Sequence, residues 1–388
     1  PSSITMTPGE SDTLDHYWRY ESTYGVSWSS SDTSVAKVDA NGKITAVAPG
    51  EAVVTLKSKN SSINMKATCK VTVTGTGSGQ VTRIAGATRY ETALKLAEYE
   101  GYDSWRDSNG KFSAVVIACG SNYPDALGGS YLAVKSKAPI ILTDSSRVDE
   151  AIDFLKDNLA SGGTVYILGG TGALPSSLES GISNLGIGAS PVRLGGKTRY
   201  DTSMMILEEA GVSDGQDILI ATGKNYADSL SASSSGRPIM LVGDSLTQEQ
   251  KTFLSNHPSS HVYLLGGSAS VSKTVESQVK ACCGGVSPSR LAGKSRYETS
   301  VAIAEEFFPS ATQAVVSYAR NFPDGLAAGP LANNIGAPVI LTDSSNSSVA
   351  SSYANSGSIG SGIVTGGASI IPDGAVYKIF NVKSITRI

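Results

Sequence analysis

RIAGATRYET (residues 83–92), RLGGKTRYDT (193–202) and RLAGKSRYET (290–299) state one ten-residue phrase three times. Repetition at that spacing defines the architecture before any other feature does. Each phrase predicts the end of an extended segment, a glycine turn and then a helix start. Thr88, Thr198 and Ser295 stand three residues before Glu91, Asp201 and Glu298. That is the spacing of a capping box, with Asp in place of Glu in the middle copy. Ala93, Leu94, Leu96 and Ala97 follow at helical spacing and would press the helix onto a sheet. Arg89, Arg199 and Arg296 put a cation in the first helical turn, against the macrodipole. Either a carboxylate pairs with each arginine, or the arginine faces an anionic ligand. Tyr90, Tyr200 and Tyr297 read as packed rings.

Between the phrases a longer pattern recurs. A buried strand (114–118, 217–221, 314–317) leads into CGSNYPDALGG (119–129), TGKNYADSLSA (222–232) and YARNFPDGLAA (318–328), each ending in a helix. A second strand follows in APIILTD (138–144), RPIMLVGD (237–244) and APVILTD (337–343), then a weaker helix. A third strand closes in two glycines, at VYILGG (165–170), VYLLGG (262–267) and IVTGG (363–367). Continuous apolar strands alternating with helices predict a parallel sheet covered on both faces. The chain ends in ITRI (385–388), a fourth copy of the strand half of the phrase. Each unit is therefore expected to be closed by the strand that opens the next, with ITRI closing the third. The first unit is longer, mainly at 101–111, an insertion carrying Trp105 and expected as a surface loop.

Residues 1–75 read differently. Short β-rich runs at 26–28, 36–38, 43–47, 52–57 and 67–73 are separated by turns, Asn41-Gly42 and Pro49-Gly50 the clearest, as in a small β-sandwich. His16, Tyr17, Trp18 and Tyr20 form either a packed strand edge or an exposed contact patch. Residues 76–80, after Gly75, have the composition of a flexible linker.

Composition narrows the function. A chain of 388 residues exceeds what one core usually fills. Residues 1–75 carry 7 cations against 7 anions, and the remainder 24 against 27, so neither part would hold a nucleic acid by long-range attraction. No stretch reads as a signal peptide or membrane span, and the opening Pro1 suits a processed or trimmed fragment. Cys69, Cys119, Cys282 and Cys283, with His16, His257 and His261, show no zinc spacing and imply no disulfide framework, leaving open a strained bridge between the adjacent pair. No GxGxxG, Walker loop, GxSxG elbow or HExxH is present, and no Cys accompanies a His at a repeated position. We expect no catalytic residue, cofactor or metal.

Three copies of RIxGxxRYET, NYPDAL, PIILTD and ILGG resemble the cell-wall-binding repeat type 2 family of Gram-positive surface proteins, over everything after the linker. VSWSSSDTSVAKVDANGKITAVAPGEAVVTL (26–56) resembles the bacterial immunoglobulin-like domain of group 2. The resemblance implies three Rossmann-like α/β modules about a pseudo-threefold axis, behind an all-β immunoglobulin-like sandwich. It divides the chain at 1–75, 76–80, 81–190, 191–287 and 288–388. It also implies a secreted protein at the cell wall or surface, anchored without a covalent link to an anionic cell-wall polysaccharide or teichoic-acid-like polymer. The immunoglobulin-like domain would be a displayed spacer or adhesive module, with a host or neighbouring surface protein as a second partner. A surface-layer component or adhesin is the alternative, and a wall hydrolase the remote one. Copy two has Ala227 in place of proline and LVGD in place of LTD, which sets its site apart.

Ligands of open α/β sheets sit beyond the carboxyl ends of the strands, at helix N-termini. That rule places Ser121, Asn122, Asp125, Asn225, Asp228, Asn321 and Asp324 near a crevice, with Thr143, Asp144, Thr342 and Asp343. Arg89, Arg199 and Arg296 complete the candidate binding set. A structural pair of the Arg89–Asp125 type, within one unit, competes with a ligand contact for these arginines.

Overall fold

The computed structural model describes residues 1–19, 21–123 and 127–388, with the backbone alone for Pro323. The N-terminal strands are β1 (Ser3–Met6), β2 (Ser11–Thr13), β3 (Val26–Ser30), β4 (Ala36–Val38), β5 (Lys43–Ala46), β6 (Gly50–Ser58) and β7 (Lys66–Val73), with a short helix α1 (Glu21–Tyr24). They form two sheets, β1-β7-β6-β3 and β2-β5-β4, around a small core that includes Val35, Ile44, Val54 and Val71. Asn41-Gly42 makes the expected turn: Asp39 accepts from the Asn41 and Lys43 amides, and Gly42 takes φ 80°. The aromatic segment splits between its two readings. His16 stands edge-on to Trp28, ring centroids 5.2 Å apart, while Tyr17 is 92% exposed; Tyr20 lies outside the described residues.

The repeat body begins with β8 (Val81–Ile84) and α2 (Arg89–Glu98). The first unit continues through β9 (Phe112–Cys119), α3 (Gly129–Lys135), β10 (Ile140–Thr143), α4 (Val148–Asn158), β11 (Leu159–Leu168) and α5 (Ser177–Ser183). In the second unit follow β12 (Ser190–Leu194), α6 (Arg199–Ala210), β13 (Ile218–Thr222), α7 (Ala227–Ala232), β14 (Ile239–Val242), α8 (Gln248–Ser255), β15 (Val262–Leu265) and α9 (Lys273–Cys282). The third has β16 (Ser289–Leu291), α10 (Arg296–Phe307), β17 (Gln313–Tyr318), α11 (Pro323–Leu326), α12 (Ala328–Asn334), β18 (Val339–Thr342), α13 (Ser347–Ser356), β19 (Ser361–Thr365), α14 (Asp373–Phe380) and β20 (Ile385–Arg387).

Three parallel sheets result, ordered β10-β9-β11-β12, β14-β13-β15-β16 and β18-β17-β19-β8-β20. Their central strands are buried along their length, as at Ile218–Thr222, which requires cover on both faces. The pairing is cyclic. β12 opens the second unit in sequence but pairs with β11 of the first, and β16 pairs with β15 of the second. The third sheet is closed by β8, from the far end of the body, paired with β19. This corrects the expectation for ITRI: β20 does pair, but outside β8 rather than in the closing position. One apolar cluster joins Ile84, Leu127, Leu230 and Leu326, so the units share a core.

Two further expectations fail. The 101–111 insertion is not a surface loop: Glu100–Trp105 winds into a 3₁₀ turn that buries Tyr102 completely. Asn334 of the third unit donates to the Gly101 carbonyl at 2.6 Å. Residues 103–104 and the 107–110 tip are exposed. The 76–80 segment is not free either. Gly75 donates to the Val382 carbonyl (2.7 Å) and Gly77 to that of Asn381 (2.8 Å), while the Asn381 side chain accepts from Thr76. A Cβ on Gly75 would run into the Asn381 backbone, so these glycines serve close approach. Lys378 and Asp32 add an ion pair at 3.2 Å between α14 and the sandwich. Gly75→Val should therefore undock the sandwich. Small-angle scattering should show a larger radius of gyration, and 76–80 should become protease-sensitive, with the repeat body still folded.

Candidate functional site: clefts between the repeat units

The three phrases start helices as their spacing requires. Thr88 accepts from the Glu91 amide at 3.2 Å, Thr198 from Asp201 at 3.3 Å and Ser295 from Glu298 at 3.5 Å. Among the three, the reciprocal box closes in the middle copy, where Asp201 accepts from the Thr198 amide at 2.9 Å. Glu91, one methylene longer, reaches past the cap to the Ala87 amide. The phrase-ending threonines Thr92, Thr202 and Thr299 are buried, and each accepts from its turn glycine, Gly86, Gly196 or Gly293, at 3.0 Å.

The arginine–carboxylate pair exists, but at the first arginine of the phrase. Arg193 grips Glu179 with Nε and Nη2 (2.6 and 2.7 Å) and donates to the Gly169 carbonyl at 2.8 Å. Arg290 pairs with Glu276 through Nη2 alone (2.7 Å) and donates to the Gly266 carbonyl at 2.8 Å. Arg83 pairs with Asp373 at 3.0 Å and donates to Gly366 and Ile371. Each pair fastens a closing strand to the last helix of the sheet it completes. The bond from Arg193 pulls the Glu179 carboxyl below its usual range.

The second arginines bridge units. Arg89 donates to the Gly120 carbonyl at 2.9 Å, Arg199 to Gly223 at 2.5 Å and Arg296 to Ala319 at 2.7 Å, just past the ends of β9, β13 and β17, the second strand of each arginine's own unit. Each guanidinium also lies over a ring of another unit: Arg89 over Phe322 (5.8 Å), Arg199 over Tyr123 (5.9 Å) and Arg296 over Tyr226 (5.5 Å). Those rings, from the NYPDAL, NYADSL and NFPDGL segments, meet with centroids 5.2 to 5.9 Å apart. The carboxylate beside Arg296 is Asp228 of the second unit, and beside Arg89 it is Asp324 of the third. This overturns the expected pairing within one unit. Asp125, expected opposite Arg89, lies outside the described residues.

Two matching clefts open at these junctions. One, about 240 Å³, is lined by Thr88, Arg89, Asn321, Asp324, Gly367 and Ser369. The other, about 270 Å³, is lined by Asn225, Asp228, Gly267, Ser270, Lys294 and Arg296. Each joins the Asn-x-x-Asp turn and paired glycines of one unit to the capped helix start of the next.

The family model for the cell wall binding domain 2 (CWB2) matches the chain three times, at 83–179, 193–276 and 290–376. The chain belongs to this family. Residues 1–71 match the bacterial Ig-like domain (group 2). The chain is 29% identical to the N-acetylmuramoyl-L-alanine amidase LytC of Bacillus subtilis (strain 168) over 279 residues, 70% of this chain and 52% of that one. It is 27% identical to the amidase enhancer of the same organism over 290 residues, 72% of this chain and 37% of that one. It thus spans about half of LytC and less of the enhancer. Among solved structures, Cwp8 from Clostridium difficile superposes with a TM-score of 0.67 at 23% identity, covering 85% of this chain and 59% of that one. Cwp6 gives 0.66 at 24% identity, covering 86% and 58%. These CWB2 repeats point to the cell wall or surface. Among the described residues no helix is long and apolar enough to cross a membrane.

Within the CWB2 body the candidate residues separate by position. Arg89, Asn321 and Asp324 line one cleft, and Asn225, Asp228 and Arg296 the other. Asn225 and Asn321 also turn their side chains back to the next amide. Arg199 holds the equivalent position between the first two units. Ser121 and Asn122 are exposed, beside the undescribed 124–126, with Ser121 3.1 Å from the Cys119 sulfur. Thr143 and Thr342 do not reach a cleft: they are buried, donating to the Arg147 and Asn346 carbonyls that begin the next helices. Asp144 and Asp343 accept from Tyr90 and Tyr297. Burial and the bond to Asp144 push the Tyr90 phenol up to about 12. Burial opposes ionisation of Asp343, but bonds from Tyr297, Arg320 and two amides outweigh it and hold that carboxyl at about 2. In the second unit Gly243 carries Asp244 one residue onward, where it pairs with Lys224 at 2.6 Å. Sequence reasoning missed Ser270, Ser369 and Lys294, although GGSAS, GGASI and GKS all stand in repeated positions.

Burial raises the pKa of both Asp228 and Asp324, with the facing arginine and a hydroxyl acting against it. A folded-state pKa above the unfolded one makes a contribution present in full below about pH 4 and lost as pH rises through the folded value. Asp228→Asn should therefore match the parent below about pH 4 and melt at a higher temperature at pH 7, read from melting curves across pH. Arg193→Ala, which strips Glu179 of both bonds, should cost about 2 kcal/mol in a urea titration.

Proposed function

We propose that the CWB2 repeats hold an anionic cell-wall polysaccharide or teichoic-acid-like polymer in the clefts between units. One observation carries this reading: two clefts of similar size are built from the same residue types at equivalent repeat positions. Each offers a half-exposed arginine, a capped helix start and an Asn-x-x-Asp turn. Helix N-termini and guanidinium groups suit anionic oxygens. Arg89, Arg296, Asn225, Asn321, Asp228 and Asp324 are the proposed contacts, with Arg199, Ser121 and Asn122 at the remaining junction; Asp125, also expected to bind, lies outside the described residues.

With a net charge of −3, long-range attraction is absent, and retention falls to weak sites used together. Linked sites can multiply affinity by about 10² to 10⁴ when geometry lets them engage at once. Cyclic strand donation and the three-ring hub support a pseudo-threefold arrangement of Rossmann-like modules, at 81–190, 191–287 and 288–388, which would present the clefts at comparable angles. The immunoglobulin-like domain, 1–75, is the displayed spacer. A non-catalytic role for the shared stretch is supported by its recurrence in an amidase and in an amidase enhancer.

Pelleting of the full chain with purified cell walls tests this. Arg89→Gln and Arg296→Gln should each lower retention several-fold and together by more than the product, with circular dichroism unchanged. Retention that survives chemical removal of the anionic polymer would overturn the reading.

A further inference from the structure

The three junctions of the repeat body are not built alike. β12 and β16 are each joined by a short loop to α5 and α9, helices that pack on the sheets they close. β8 has no such loop from the third unit, because it enters from the sandwich side, where Gly75 and Gly77 bond to the Val382 and Asn381 carbonyls. The third-to-first junction lacks another bond as well. Tyr123 donates to the Lys224 carbonyl and Tyr226 to that of Ala319, but Phe322, at the same place in the third unit, has no hydroxyl.

The spacing of the last strand answers this deficit. Arg193 lies fourteen residues beyond Glu179, Arg290 fourteen beyond Glu276, and Arg387 fourteen beyond Asp373. By chain spacing β20 is the third unit's own closing strand, displaced outward by β8. Both arginines use one carboxylate: Arg83 pairs with Asp373 Oδ1 and Arg387 with Oδ2. β20 lies in register on β8, Thr386 opposite Thr82 and Arg387 opposite Arg83. Ile388 donates to the Arg83 carbonyl and accepts from Ala85, and Thr386, two residues earlier, faces the same way. β8 is thus bonded along both edges, whereas β12 and β16 end their sheets.

We infer that β20 is a latch. It clamps β8, which no loop joins to the third unit, into the third sheet, ties it through the α14–β20 connection to the unit it closes, and so holds the repeat body shut.

Hydrogen exchange read by mass spectrometry on the full chain tests the latch. Thr386→Pro removes a donor that faces β8. It should speed exchange at 81–84 by about tenfold, leaving 190–194 and 289–291 at parental rates. Thr386→Val, which keeps the backbone donor, should leave all three segments unchanged. Arg387→Ala, which keeps the ladder and is the milder change should the proline variant not fold, should give a smaller acceleration confined to 81–84. Parental exchange at 81–84 in both Thr386→Pro and Arg387→Ala would overturn the latch. Equal acceleration of all three segments would overturn it too, since β20 would then support the body in general.

Discussion

Each parallel sheet of the repeat body is completed by a strand that comes from elsewhere in the chain's repeat order. β12, β16 and β8 each open one unit and complete the sheet of another. Everything else at the junctions follows. The glycine turn after each strand must change direction within a few residues to start a helix in the next unit. The first arginine must bind the strand to its host sheet, because the strand's own unit cannot. The clefts lie where two units meet since that turn is the crossing point.

The division of labour between the two arginines of each phrase is a matter of solvation. Arg83 is almost fully buried and meets a carboxylate and two carbonyls; without those partners its charge would be untenable there. Arg89, Arg199 and Arg296 stay half exposed and bond one carbonyl each at a strand end, with an aromatic face behind. A cation in a first helical turn is tolerable on those terms, because the strand-end carbonyl and ring quadrupole offset the helix dipole. Arg89 and Arg296 line the two clefts.

Much of this was legible in the sequence, and each loss has a physical cause. Strand and helix order and the capped helix starts follow from local chemistry: period, caps and turns. The Arg–Asp assignment failed because it assumed that residues near in one repeat meet in that repeat, whereas strand donation moves the partner into another unit. Thr143 and Thr342 sit at the expected strand ends yet point inward, a matter of side-chain direction that motif position does not carry. The 76–80 segment has linker composition, and its glycines are there to let two backbones touch, a reading visible only once Asn381 is beside them. Tyr102, inside an apparent insertion, packs across a junction whose existence no local pattern announces.

Cyclic donation also fixes how many repeats the gene can hold. In an open solenoid each unit leans on its neighbours, and copies are added or lost at little cost beyond the ends. Here each of three sheets lends or borrows a strand, the last borrowing from the first, and three aromatic rings fill one shared centre. Unequal recombination that removed one repeat would leave two rings and a closure at a different radius; one that added a copy would leave a fourth ring without a place at the hub. Length variation in such a protein is therefore channelled outside the repeat body.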